Sequence, residues 1–149
     1  MIRWRAAVAD DVPAVVALLA DDVLGKAREG TDLATYQAAF AAMQAEGANH
    51  LIVAEDVAGR IVATYQITFI SGLSLRAARR AQLESVRVAG DLRGQGVGAA
   101  LIADAEARAR AAGCRLLQLT TNKARARAQE FYAQLGFTPS HIGFKRELD

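Results

Sequence analysis

The chain has 149 residues, 52% hydrophobic and 23% charged, which suits one globular domain with a real core and excludes a disordered segment. Eighteen Lys and Arg against sixteen Asp and Glu leave a formal +2, too mild to argue for nucleic acid, and no stacking aromatics are interleaved with the arginines. A single cysteine, Cys114, excludes an internal disulfide framework, while the start MIRWRAAVADD shows no signal-peptide core and no apolar run approaches a membrane span. The expectation is a soluble, cytoplasmic protein with a single domain over residues 1–149.

Residues 2–8 alternate through Ile2, Trp4, Ala6 and Val8 and read as a first strand. Asp10 and Asp11 offer an N-cap, Pro13 suits a first helical turn, and Val12, Val15, Val16 and Leu19 supply an apolar stripe. Residues 21–31, punctuated by Gly25 and Gly30, are expected to be a loop. Thr31 or Asp32 caps a second helix to about Glu46, with Leu33, Tyr36, Phe40 and Met43 on one face and Gly47 ending it. Strands at 50–56 and 60–70 are joined by an Ala58-Gly59 hairpin turn. A loop at 71–80 carries Arg76, Arg79 and Arg80.

A Val-rich strand at 83–89 leads into a glycine turn. The helix after it repeats Val97, Leu101, Ala105, Ala109 and Ala112 at helical spacing and stops at Gly113. Residues 115–121 read as a strand and 123–135 as a helix closed by Gly136. A last strand or strand pair is expected near Phe137 and over 142–148. The order β-α-α-β-β-β-α-β-α-β predicts a mixed α/β sheet, antiparallel through its middle strands and parallel across the glycine helix, with helices on both faces.

The turn Arg93-Gly94-Gln95-Gly96-Val97-Gly98 brings bare backbone N–H groups to a helix N-terminus, where orphan donors and the helix dipole both favour phosphate. Gly94, Gly96 and Ala99 also satisfy the loose dinucleotide pattern. That fold needs an acidic residue about 20 positions on, whereas Leu119-Thr120-Thr121-Asn122 offers no carboxylate. A triphosphate loop fails because no Lys-Ser or Lys-Thr pair follows the glycines.

Arg93–Gly98 resembles the pyrophosphate-binding motif of the GNAT family of N-acetyltransferases, Gln/Arg-x-x-Gly-x-Gly/Ala. Glu84-Ser85-Val86-Arg87-Val88 resembles the family's central strand. Glu130-Phe131-Tyr132-Ala133-Gln134-Leu135-Gly136-Phe137 is similar to its second signature, Phe-Tyr-x-x-x-Gly-Phe. The element order matches along the whole chain. The resemblance implies a mostly antiparallel central sheet of six to seven strands, acetyl-CoA as cosubstrate and no metal. It also implies attack by a primary amine, of a small molecule in the first instance, within a ternary complex.

The roles it carries over are these. The amides of Arg93, Gly94, Gln95, Gly96, Val97, Gly98 and Ala99 hold the pyrophosphate, and Val86 and Val88 guide the pantetheine arm into a gap opened by a strand bulge. The Val88 N–H polarises the thioester carbonyl. Tyr132 is the general acid toward the departing thiolate and Glu84 the base toward the amine, sharing a face with Val86 and Val88 by strand alternation. Asn122 is the pantetheine contact, since Arg125 stands where many relatives carry an Asn. Residues 120–144 are similar to acetyltransferases of small amines, including aminoalkylphosphonate acetyltransferases, and Arg76, Arg79 and Arg80 are candidates for an acidic group on the acceptor. His50 and His141 are isolated and suggest no metal site. Two alternatives stand beside this reading: acetylation of a protein N-terminus or lysine, and a non-catalytic acyl-CoA-sensing domain. Relatives often dimerise, so a homodimer is compatible; no nucleic acid or membrane partner is expected.

Overall fold

The structure, a computed structural model, describes residues 1–21 and 23–149. Strand β1 (Arg3–Ala6) is followed by helices α1 (Val12–Ala20), α2 (Val23–Arg28) and α3 (Leu33–Glu46), then strands β2 (Asn49–Glu55) and β3 (Ile61–Ile70). A single turn α4 (Ser74–Ala77) precedes β4 (Arg80–Val88), α5 (Val97–Ala111), β5 (Leu116–Leu119) and α6 (Ala126–Gln134). Met1–Gln118 and Leu119–Asp149 form separate compact units, each described by itself.

Local chemistry places most boundaries. Asp32 caps α3 by accepting the Ala34 N–H at 3.1 Å, and Gly47 at φ 76° ends it in a conformation that a side chain resists. Asp56 closes the β2–β3 hairpin, its Oδ1 accepting the N–H of both Ala58 and Arg60 at 2.9 Å, with Gly59 at φ 85°. The expected cap of α1 is different. Asp11 turns back from the helix to accept the Val8 N–H at 2.8 Å and both Arg5 guanidinium Nη atoms, at 2.7 and 3.0 Å, because a nearly buried carboxylate needs charged partners. The segment expected as a loop at 21–31 contains α2; Asp22 within it lies outside the described residues.

The sheet order is β1-β2-β3-β4-β5, antiparallel from β1 to β4. The Arg115 N–H bonds the Arg79 carbonyl at 2.8 Å, and Gln118 Nε2 donates to Gln82 Oε1 at 2.6 Å. Both pairings advance together, so β5 runs parallel to β4 and lies beside its first half. Tyr65, Ile67, Leu83 and Ile52 point to one face, where Leu101 and Ala105 of α5 are also fully or almost fully buried. Each such Leu stabilises the fold by about 2 kcal/mol. Val53 packs on the other face with Val12 and Val15 of α1 and Phe40 of α3. Helices thus cover both faces of the sheet.

The sheet has five strands among the described residues, short of the six to seven expected. Phe137 and residues 142–148 form no strand, and Ile142, Phe144 and Leu148 are 83%, 93% and 89% exposed. Alternation supplies a β-prone pattern, but a strand exists only where a ladder partner takes its backbone groups. The α4 turn was also not expected: Leu75, Arg76 and Ala77 all hold φ between 55° and 60°, a left-handed run that costs about 1–2 kcal/mol per non-glycine residue. Arg115 Nη2 donates to the Leu75 carbonyl at 2.8 Å and braces it.

Candidate active site

Strand β4 holds the centre of the candidate site. Thr64 pairs with Arg87 and Gln66 with Glu84, so Ser85 and Val86 together stand opposite the single residue Tyr65. That is a bulge, and Ser85 carries it at φ 55°. It also corrects the regular alternation assumed for the strand. Thr64 and Gln66 share a face, hence Glu84 lies on that face with Arg87, while Val88, paired with Ala63, lies on the other. The extra residue flips the parity of the strand between Glu84 and Val88.

Backbone directions follow from the same register. The Ala89 N–H bonds the Val62 carbonyl at 2.8 Å, which makes Ala63–Val88 a non-hydrogen-bonded pair. The Val88 N–H therefore points away from β3. Strand β5 ends at Leu119, beside the first half of β4, so β4 from Glu84 to Val88 runs on past it. The Val86 carbonyl accepts Arg87 Nη1 at 2.9 Å. Glu84 is exposed, and no hydrogen bond or ion pair engages it among the described residues.

Downstream, Gly94 and Gly96 sit at φ 78° and 84°, and a Cβ at either would meet nothing within 4 Å. The turn needs them for backbone conformation and not for space. Gly96 is the N-cap of α5 with no side-chain cap, and the Ala100 N–H to Gly96 carbonyl bond at 3.1 Å opens the helix. The N–H groups of Val97, Gly98 and Ala99 therefore face outward from a 15-residue helix. Arg93 is exposed and donates to the Asp21 carbonyl at 3.1 Å; Gln95 donates to the Asp91 carbonyl at 3.0 Å. These contacts fix the turn, and the N–H groups of Arg93 and Gln95, expected to face the pyrophosphate, instead donate to the Gly90 and Leu92 carbonyls at 3.4 and 3.3 Å, which leaves the open amides at Val97, Gly98 and Ala99. A groove of about 790 Å³ borders Gly90 and Asp91, but Asp10, Asp11, Asp21 and Asp91 outnumber its one Arg60, so it suits no phosphate.

Behind the bulge lies a network absent from the sequence reading. The fully buried Tyr65 donates its hydroxyl to Asp104 of α5 at 2.5 Å, and Asp104 accepts Arg108 Nε at 2.8 Å. Burial first, then the Asp104 carboxylate, push the Tyr65 phenol far above its usual value, so it remains a donor. Only the four-residue spacing of Asp104 and Arg108 on a helix was a visible signal.

In the unit of residues 119–149, Tyr132 on α6 is half-buried, its ring edge-on to Phe131 at 5.3 Å and Phe137 at 5.7 Å. Asn122 precedes that helix and accepts the Ala124 N–H at 2.9 Å. The structure thus gathers Glu84, Val86, Val88 and the 93–99 turn in one unit, with Tyr132 and Asn122 in the other. Arg79 stacks over Phe69 at 5.6 Å and donates to Ser71, and Arg80 donates to Ser74, so both are engaged locally. No group of three or more His, Cys, Asp or Glu gathers to hold a metal, and no helix is long and apolar enough to cross a membrane, among the described residues.

Known proteins share this fold and family. Over 67 residues the chain is 39% identical to the aminoalkylphosphonate N-acetyltransferase of Salmonella typhimurium, a match spanning 45% of this chain and 44% of that protein. A crystal structure described as a transcriptional regulator from Bacillus halodurans superposes with a TM-score of 0.94 at 40% identity, covering 99% of this chain and 100% of that one. A Clostridium acetobutylicum protein described as a predicted acetyltransferase, solved with acetyl-CoA, shares the fold at a TM-score of 0.74 and 18% identity, covering 97% and 96% of the two chains. The sequence profile of the acetyltransferase (GNAT) family matches residues 15–137. With that match over most of its length, the chain belongs to the GNAT acetyltransferase family.

Proposed function

We propose that the protein transfers an acetyl group from acetyl-CoA to a primary amine of a small molecule, by direct attack in a ternary complex. The observation that carries this is the bulge at Ser85–Val86, with the Val88 N–H directed away from β3, on the strand that leads into an uncapped helix N-terminus. A thioester arm needs such a free strand edge, and its pyrophosphate needs such a turn. Acetyl-CoA supplies the activated acyl group. Glu84 takes the proton that the ammonium must lose before its nitrogen can bond to the carbonyl carbon. The Val88 N–H donates to the carbonyl oxygen as negative charge develops there. When the carbon–sulfur bond breaks, the Tyr132 hydroxyl gives its proton to the thiolate, and the nitrogen's second proton, lost through solvent, restores that hydroxyl, leaving a neutral amide and free coenzyme A. Asn122 contacts the pantetheine.

Release of free thiol from acetyl-CoA across a panel of small amines tests the reading, and Glu84→Gln should slow release and alter its pH–rate profile. The Bacillus halodurans relative is described as a transcriptional regulator, and beside it stands a second reading of this chain, a non-catalytic acyl-CoA-sensing domain. Tight acetyl-CoA binding with no thiol release for any amine or peptide would replace the first reading by the second.

A further inference from the structure

A cavity of about 110 Å³ opens on the α1 and α3 side of the sheet and has no role above. Val16 and Leu19 of α1 and Ala39 and Met43 of α3 form its apolar wall, and Thr64, Gln66 and Ser85 make one polar end. No charged side chain lines it. The wall is braced: the Tyr36 hydroxyl accepts the Gly30 N–H and donates to Glu29, both at 2.9 Å, which ties α3 to the segment before it. At the polar end Thr64 is committed to the Ile52 carbonyl and Gln66 to Asn49, each at 2.9 Å. The Ser85 hydroxyl has no partner among the described residues, and it sits on the bulge itself. Gln66 stands opposite Glu84 on the same face, so the polar end of the cavity adjoins the proposed base.

We propose that this cavity seats an uncharged alkyl group of the acceptor, with the amine nitrogen held at the Ser85 end beside Glu84. This rests on the acetyl-transfer reading and narrows its substrate to small apolar amines. An apolar cavity of about 150 Å³ takes a benzene, so this one takes about four carbons, an isobutyl group in size. A phosphonate or carboxylate placed there would lose its water with no cation in the lining to pair with it. The acceptor therefore differs in kind from that named for the Salmonella typhimurium relative, whose similarity spans less than half of this chain.

The test is steady-state kinetics at saturating acetyl-CoA with methylamine, isobutylamine and aminomethylphosphonate. Each buried methylene changes affinity about fourfold, so kcat/KM for isobutylamine should exceed that for methylamine by more than about tenfold, with aminomethylphosphonate the poorest of the three. Ala39→Phe projects a ring into the cavity from an exposed helix position and should collapse the isobutylamine advantage, with acetyl-CoA affinity by calorimetry kept as the control on folding. Met43→Ala enlarges the cavity and should move the preference toward isoamylamine. Equal kcat/KM for methylamine and isobutylamine, a ratio unmoved by Ala39→Phe, or a phosphonate as the best substrate would overturn the assignment. If no amine releases thiol, the transfer reading fails and calorimetry with isobutylamine still decides the cavity: binding weakened by Ala39→Phe supports it, and no binding overturns it.

Discussion

Replacing Tyr132 by Phe removes one hydroxyl and leaves the ring to pack edge-on against Phe131 and Phe137. If Tyr132 is the proton donor to the thiolate, kcat should fall by about 10²-fold or more while acetyl-CoA affinity stays near wild type. A drop in folding stability with little change in kcat would mark a packing tyrosine instead. Asp11 is the residue whose charge bears on stability. Its hydrogen bonds from Arg5, and secondly from the Val8 backbone, hold its carboxyl below the ordinary value of 3.8. A folded-state value lower than the unfolded one means the stabilisation is present above about pH 4 and is lost as pH falls through the folded value. Thermal denaturation of Asp11→Asn should therefore show a lower Tm than wild type at pH 7, and the gap should narrow toward pH 3. The sequence marked Asp11 as a polar residue before a helix but gave no sign of its partner, because Arg5 reaches it through the fold of β1. The role of Ser85 was equally hidden, since serine carries no preference for φ 55° that a reader could use.

Helix α5 and the turn before it were legible because their chemistry is local. Gly94 and Gly96 sit where left-handed backbone is required, Gly113 ends the helix at φ 79°, and Val97, Leu101, Ala105 and Ala109 are buried as their spacing implied. Ile102 was missed from that stripe although it is buried, because it falls on the flank that a strict four-residue step omits. At Gly96, an Ala would meet no atom within 4 Å, so its whole cost is conformational. Gly96→Ala should lower stability by about 1–2 kcal/mol and weaken acetyl-CoA binding, whereas Gly96→Asn should cost less because Asn tolerates that region. Chemical denaturation and calorimetric titration of the two variants would check the order.

Strand pairing is the least local feature of the molecule, and there reading and structure part company. The hairpin between β2 and β3 announced itself through its Ala58-Gly59 turn, while the part that Asp56 plays in closing it showed only in the structure. Ile142, Phe144 and Leu148 alternate just as well, yet no ladder forms there, because pairing depends on a partner far away in sequence. Hydrogen exchange should separate the two regions. Amides of β3, flanked by β2 and β4 and largely buried, should exchange slowest, and those of 140–149 should exchange near the unprotected rate. Comparable protection in both would mean the tail is paired in solution. A last consequence belongs to Tyr65. Its backbone stands opposite the bulge at Ser85–Val86, three residues or fewer before Val88, and its oxygen rests on Asp104, two turns along the helix that begins at the glycine turn. A single phenol therefore works as a ruler: the length of one side chain sets the separation between the Val88 N–H and the N-terminus of α5, and on the proposed reading that is the distance from the donor for the thioester oxygen to the seat of the pyrophosphate.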